Sequence, residues 1–146
     1  MLYTEKPKDF SPIHSGAAGC LVEWDGKALF LFRSPDRKVD PNTWCTPGGK
    51  MEEGETKEIC VARELKEEIG VSFAPECIEY LHETYCRYAE FDFVYYVFRV
   101  KTEKEPKIIL NEEHTEYAWF TPEEALAKPL IRDEDAVIRL VYGSHL

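Results

Sequence analysis

Two neighbouring stretches, Ser15 to Trp24 and Lys27 to Phe32, carry mostly apolar residues and are separated by Asp25-Gly26. Asp-Gly accepts the positive φ angles of a two-residue turn, so the pattern predicts a β-hairpin. Ser34 to Asn42 holds two prolines and four charges and reads as a loop. It leads into a short strand at Trp44-Cys45-Thr46 that Pro47-Gly48-Gly49 cuts off. Thr56 to Ile69 is rich in strong helix formers, with Thr56 placed to cap its start and Gly70 to end it. Strands are predicted from Ile78 to Cys86 and from Phe91 to Val100. In the second, Phe91, Phe93, Tyr95 and Val97 alternate with Val94, Tyr96, Phe98 and Val100, so both faces are apolar and both should be covered. Tyr117 to Phe120 reads as one more strand. Thr121-Pro122-Glu123-Glu124 then spells an N-cap, a first-turn proline and a capping-box glutamate, opening a short helix to about Ala127. A last helix is predicted from about Asp133 to Tyr142, with Ala136, Val137, Leu140 and Val141 as its apolar stripe.

Strands interrupted by helices, without repeats or low-complexity tracts, predict an α/β sandwich around a mixed sheet. The 146 residues suit a single domain, 1–146, with residues 1–14 as a polar N-terminal arm, and 44% hydrophobic residues suffice for a core. A formal charge of −10 argues against binding a nucleic acid polymer, which normally needs a basic face. A small anionic substrate remains open if a metal mediates. Five cysteines in an odd, widely spaced set without a CxxC pair predict reduced thiols. No signal-like or membrane-spanning apolar run is present, so a soluble, cytoplasmic protein without membrane contact is expected.

Chemistry concentrates on the helix at 56–69. At about 100° per residue, with Glu64 set at zero, Glu68 falls near 40° and Glu67 near 300°, so three carboxylates share one face. Leu65, Ile69, Ala62 and Ile59 lie between roughly 100° and 220° on the same wheel and are expected to dock the helix on the sheet. Clustered carboxylates repel, and a hard divalent cation relieves the repulsion. Mg²⁺ takes a few carboxylates and completes its shell with water and phosphate oxygens, whereas Zn²⁺ would want Cys or His beside them. An isolated acidic run is most often a solvated helix face. Here Gly48-Gly49-Lys50-Met51-Glu52-Glu53-Gly54-Glu55 lies just upstream, a glycine-bounded loop whose backbone can approach a ligand.

Gly49, Glu55, Arg63-Glu64-Leu65, Glu67-Glu68 and Gly70-Val71 stand at the spacing of a complete Nudix box, nine defined positions over 23 residues. The flanking hairpin, the Trp-x-x-Pro-Gly-Gly run and the later Trp-Phe strand also resemble the Nudix family, from about Gly16 to Leu140. The resemblance implies a Nudix α/β/α sandwich. It implies a Mg²⁺ site, with Mn²⁺ as a substitute, held by Glu64, Glu67, Glu68 and the Gly48 carbonyl. Arg63 would orient a carboxylate such as Glu55. A further glutamate in the loop before the last strand is expected to join in, with Glu113 the first candidate and Glu112 and Glu116 in reserve. Glu64 is the first candidate for the group that holds or deprotonates the attacking water, with Glu67 and Glu113 as alternatives.

The implied reaction is hydrolysis of a phosphoanhydride bond in a nucleoside diphosphate-X compound. Trp44 to Lys50 resembles the branch that cleaves nucleoside triphosphates, modified ones included, to the monophosphate and pyrophosphate. Tyr88, 17 residues beyond Val71, resembles the dinucleoside polyphosphate branch, and a nucleotide sugar is a related alternative. An inactive nucleotide-sensing or protein-binding Nudix module is the alternative from another class. Arg33, Lys38, Lys50 and Arg87 are candidate phosphate contacts, and Tyr85, Tyr88 and Phe91 could stack a base. Glu134, at the start of the last helix, could accept hydrogen bonds from a base edge, although acidic residues there are also ordinary helix-dipole partners.

Overall fold

The computed structural model describes residues 1–146. Eight strands form one sheet: β1 (Leu2–Tyr3), β2 (Ala17–Trp24), β3 (Lys27–Arg33), β4 (Trp44–Cys45), β5 (Gly48–Lys50), β6 (Glu79–Arg87), β7 (Asp92–Lys101) and β8 (His114–Phe120). Three helices cover it, α1 (Lys57–Ile69), α2 (Pro122–Leu126) and α3 (Glu134–Tyr142). The strand path is β1-β6-β7-β2-β3-β4, with β5 paired to β2 and β8 to β3. The β2–β7 pairing is parallel and the others are antiparallel, so the sheet is mixed.

Asp25 and Gly26 take the predicted turn, with φ of 53° and 73°. The hairpin it closes pairs only Glu23 with Ala28 and Trp24 with Lys27 before β2 and β3 part. On β2, β5 occupies the space that β3 vacates, an element where the sequence suggested only the end of a strand. Gly48 makes this approach feasible: a Cβ there would stand 2.5 Å from the Ala18 carbonyl oxygen. β3 pairs instead along β8, which begins at His114, three residues earlier than the aromatic pattern indicated. A register shift between Phe32 and Arg33 sets Arg33 opposite His114. The N-terminal arm also departs from expectation, because Leu2 and Tyr3 pair with Cys86 and Tyr85 as an edge strand.

Alternation along the central strands divides the core in two. Ala18, Cys20, Val22, Leu29, Leu31, Phe98 and Val100 pack under α1 with Cys60, Val61, Leu65 and Ile69. Leu21, Ala28, Phe30 and Val97 face the other way, onto Ala125 of α2 and Val137 and Ile138 of α3. β7 is thus covered on both faces, as its composition requires. All five cysteines are free. No helix is long and apolar enough to cross a membrane.

α1 is capped at both ends as predicted: the Thr56 hydroxyl accepts from the Ile59 amide, and Gly70 turns into the left-handed region at φ 72°. Its rotation differs. Ile59 is 58% exposed, whereas Cys60, Val61, Glu64, Leu65, Glu68 and Ile69 are buried. On the same wheel the buried arc runs from about −40° at Cys60 to about 140° at Ile69. Glu64 and Glu68 therefore lie inside the docking face, while Glu67 and Ile59 fall outside it on opposite sides. A purely hydrophobic reading put the centre of that face too far from the glutamates, because it counted Ile59 and left out Cys60 and Val61. This phase has a direct test in urea unfolding. Leu65→Ala is expected to destabilise by about 2–5 kcal/mol, and Ile59→Ala by no more than about 0.5 kcal/mol.

Candidate active site

Arg63, at the centre of α1, gathers the acidic groups around it. Its Nε and Nη2 donate to the two carboxylate oxygens of Glu55 at 2.7 and 3.0 Å, a bidentate fork. Nη1 donates to Glu64 at 2.9 Å and to Glu67 at 3.2 Å, and Nη2 also reaches the Lys50 carbonyl at 3.2 Å. Glu55 accepts in addition from the Glu52 amide at 2.8 Å, so the loop is stitched to the helix. The fork holds the Glu55 carboxyl at about 2, well below its usual range. Gly49 lies against Glu64: a Cβ there would come within 2.5 Å of Glu64 Oε1. A Cβ at this position would displace the Glu64 carboxylate from its place beside β5.

Glu68 is placed differently. Its side chain is buried, and one oxygen accepts from the Gly48 amide at 2.7 Å. Burial pushes its pKa well above the carboxylate range, the amide bond opposes this, and Glu64 and Glu113 raise it further. Glu64 is also raised, chiefly by burial, with Arg63 opposing. Glu113 precedes β8, and its carboxylate accepts from Arg37 at 3.2 Å. Glu68, Glu113 and His114 offer ligand atoms within 4.8 Å of one another. His114 is buried, its Nε2 lies 3.6 Å from the Cys45 thiol, and its Nδ1 has no partner. Burial and then the Arg37 charge lower its pKa to about 4, so the ring is neutral at neutral pH.

This donor set fits a divalent cation. Glu68 is buried among like charges with no ion pair to Lys or Arg, and an unpartnered imidazole nitrogen belongs to the adjacent His114. Glu67 sits at the rim, with a side chain 51% exposed and turned to Arg63.

From this cluster a cleft of about 550 Å³ runs to α3. Gly48, Gly49, Lys50, Glu68 and His114 line one end. At the other, Tyr88, Phe91 and Phe93 form a wall with ring centroids 5.7–5.9 Å apart. The Tyr88 hydroxyl donates to Asp133 at 2.7 Å, and the Arg132 guanidinium lies 5.1 Å over its ring. Glu134 also lines the cleft, but one of its oxygens accepts from both the Thr46 amide at 2.6 Å and the Thr46 hydroxyl at 2.8 Å. Burial raises its pKa. Its contacts in the structure join α3 to the segment after β4.

The expected phosphate contacts are divided by the structure. Lys38 and Lys50 line the cleft. Arg33 lines it too, but its Nε and Nη2 donate to the Val39 carbonyl at 3.1 and 2.8 Å and brace the 34–42 loop. Arg87 does not line the cleft: its guanidinium forks onto Asp92 at 3.0 and 2.9 Å and reaches the Lys8 carbonyl. Tyr85 also lies away from the cleft, with its hydroxyl on Glu83. Sequence reasoning missed Leu2, His14, Arg37, Thr46, Phe93, Tyr95 and Arg132, all of which line the cleft. Phe93 and Tyr95 looked like core strand residues. Only the sheet register and the crossing of α3 bring the rest together.

Residues 13–141 match the NUDIX domain family. The chain is 33% identical over 127 residues to a MutT-like protein of Streptomyces ambofaciens, covering 85% of this chain and 76% of that one. It is 34% identical over 114 residues to the nucleoside triphosphatase NudI of Escherichia coli O139:H28, covering 71% and 79%. The crystal structure of a MutT NUDIX hydrolase from Burkholderia pseudomallei superposes with a TM-score of 0.74 at 25% identity, covering 87% and 97%. The family match and these relatives define a hydrolase of nucleotide derivatives. The chain belongs to the Nudix family and is a Nudix pyrophosphohydrolase.

The Glu55–Arg63 fork carries a pH signature. Because the folded pKa of Glu55 is depressed, its contribution to stability is complete above its ordinary value of 4.5 and is lost as pH falls toward about 2. Thermal melts are expected to show Glu55→Gln less stable than wild type at neutral pH, with the gap closing over that acid range.

Proposed function

We propose that this chain hydrolyses a nucleoside triphosphate, modified ones included, to the monophosphate and pyrophosphate in a Mg²⁺-dependent reaction. The observation that carries the reading is the cluster of buried Glu64 and Glu68 with half-buried Glu113, which opens through Glu68 into a cleft lined elsewhere by an aromatic wall. The similarity to a nucleoside triphosphatase over 71% of the chain supports the choice of substrate.

Glu64, Glu67, Glu68 and Glu113, with the Gly48 carbonyl, would hold the cation, and Mn²⁺ would substitute. When bound, it supplies neutralisation of phosphate oxygens and polarisation of the phosphorus centre. Lys50 and Lys38 meet the polyphosphate at the rim. Arg37 holds Glu113 in place and is itself within the cleft lining. Tyr88, Phe91 and Phe93 offer flat faces on which a base stacks. Glu64, oriented by the Arg63 guanidinium at 2.9 Å, accepts the proton of the attacking water. Arg63 orients Glu64 while remaining bound to Glu55, so removing Arg63 would disturb the base and the loop together.

Glu68→Gln keeps the Gly48 amide bond and removes the charge. Pyrophosphate release from nucleoside triphosphates, followed with and without Mg²⁺, is expected to fall by about 10²- to 10⁴-fold in this variant. Near-normal turnover in the variant would remove the cluster from the reaction. Turnover restricted to dinucleoside polyphosphates or nucleotide sugars would move the substrate, and binding without turnover of any nucleotide would make the domain a sensor.

A further inference from the structure

We propose that the N-terminal arm sets which nucleobase the cleft accepts, with Leu2 and His14 as specificity-determining residues and Asp92 as the positioning residue that holds them there. The inference rests on the reading that the aromatic wall receives the base of a nucleotide.

Leu2 and His14 both line the cleft, on the side formed by Tyr88, Phe91 and Phe93. Leu2 lies outside the 13–141 segment matched to the family, so this part of the wall belongs to the chain's own arm. The arm is fastened at both ends. At the first, Leu2 pairs with Cys86, and the Arg87 amide donates to the Met1 carbonyl at 2.9 Å, extending the sheet edge. At the second, the Ser11 amide donates to Asp92 Oδ2 at 2.9 Å and the Ile13 amide to the Asp92 carbonyl at 3.1 Å.

Asp92 also receives the Arg87 fork, and Arg87 in turn donates to the Lys8 carbonyl at 3.1 Å. The Arg87 guanidinium lies 5.9 Å over the Phe10 ring, which stands edge-on to Tyr85 at 5.3 Å. Asp92 is buried and does not line the cleft, so its effect on a ligand passes through the arm. Arg87, which the sequence suggested as a phosphate contact, belongs to this clamp.

The two cleft residues differ in chemistry. Leu2 offers an aliphatic surface with no hydrogen bond to give. His14 Nδ1 accepts the Gly16 amide at 3.0 Å, which leaves Nε2–H as its donor, and its ring tilts against Phe93 at 5.8 Å. Together they favour a planar base that presents an acceptor on one edge and an apolar face to the arm. Neither residue belongs to the carboxylate cluster of Glu64, Glu68 and Glu113, so the arm contributes to binding and base choice and not to the chemical step.

Steady-state kinetics of the full chain on a set of purine and pyrimidine nucleoside triphosphates test this. For the base that wild type prefers, Leu2→Ala is expected to raise KM about tenfold with kcat within about twofold, and to narrow the spread of kcat/KM between bases. Asp92→Asn, which touches no ligand, is expected to shift KM and base preference in the same direction. A merely structural loss would lower kcat equally for every base and leave the preference alone. Unchanged KM and unchanged base preference in Leu2→Ala overturn the inference, whether or not Asp92→Asn folds. Absence of turnover by wild type on every triphosphate defeats the underlying reading first and takes this inference with it.

Discussion

The site turns on one electrostatic constraint: the Glu68 carboxyl is buried beside two other carboxyls, with a single backbone amide to stabilise its charge. Such a group resists ionisation, because desolvation and like-charge repulsion both oppose the charge, and a cation would relieve both. The fold creates this situation deliberately on one helix. Cys60, Val61, Leu65 and Ile69 commit α1 to the sheet, and the same rotation carries Glu64 and Glu68 into the interface. On β5, Gly49 leaves the Glu64 carboxylate its room, while Gly48 lets the strand approach the β2 backbone at Ala18.

Around that cluster the cations are distributed unevenly. Arg63 is saturated by Glu55, Glu64, Glu67 and the Lys50 carbonyl, so it orients the acidic groups without neutralising Glu68. Arg33 braces the 34–42 loop and Arg87 clamps the arm. Arg37, Lys38 and Lys50 remain along the cleft, which separates a region suited to phosphates from the aromatic region suited to a base. The overall charge of −10 is compatible with an anionic substrate because Arg37, Lys38 and Lys50 set the local field along the cleft.

Much of the fold was legible from residue pattern. The Asp25-Gly26 turn, the Thr56 and Gly70 caps and the Thr121 capping box are local signals, and each appears where its chemistry demands. β7 announced its two covered faces. What the pattern obscured was set at longer range: β5 exists because Gly48 fits against Ala18, and β1 exists because Leu2 finds the edge of β6. The helix phase misled for a physical reason, since two glutamates occupy positions that hydrophobicity assigns to solvent. The acidic cluster was visible as residues at fixed spacing, and the structure brings Glu113 beside Glu68 from a loop. The base end was scarcely visible, because its wall joins residues from the arm, β7 and the start of α3.

A thermal shift on addition of Mg²⁺, compared between wild type and Glu68→Gln, measures the central electrostatic constraint directly. Without Mg²⁺, Glu68→Gln is expected to be at least as stable as wild type, since it relieves repulsion and keeps the Gly48 bond. With Mg²⁺ at about 100 times its Kd, wild type is expected to gain about 2.7 kcal/mol, while Glu68→Gln gains little. Identical Mg²⁺ responses in the two proteins, or no response in wild type, would contradict a cation held at Glu68.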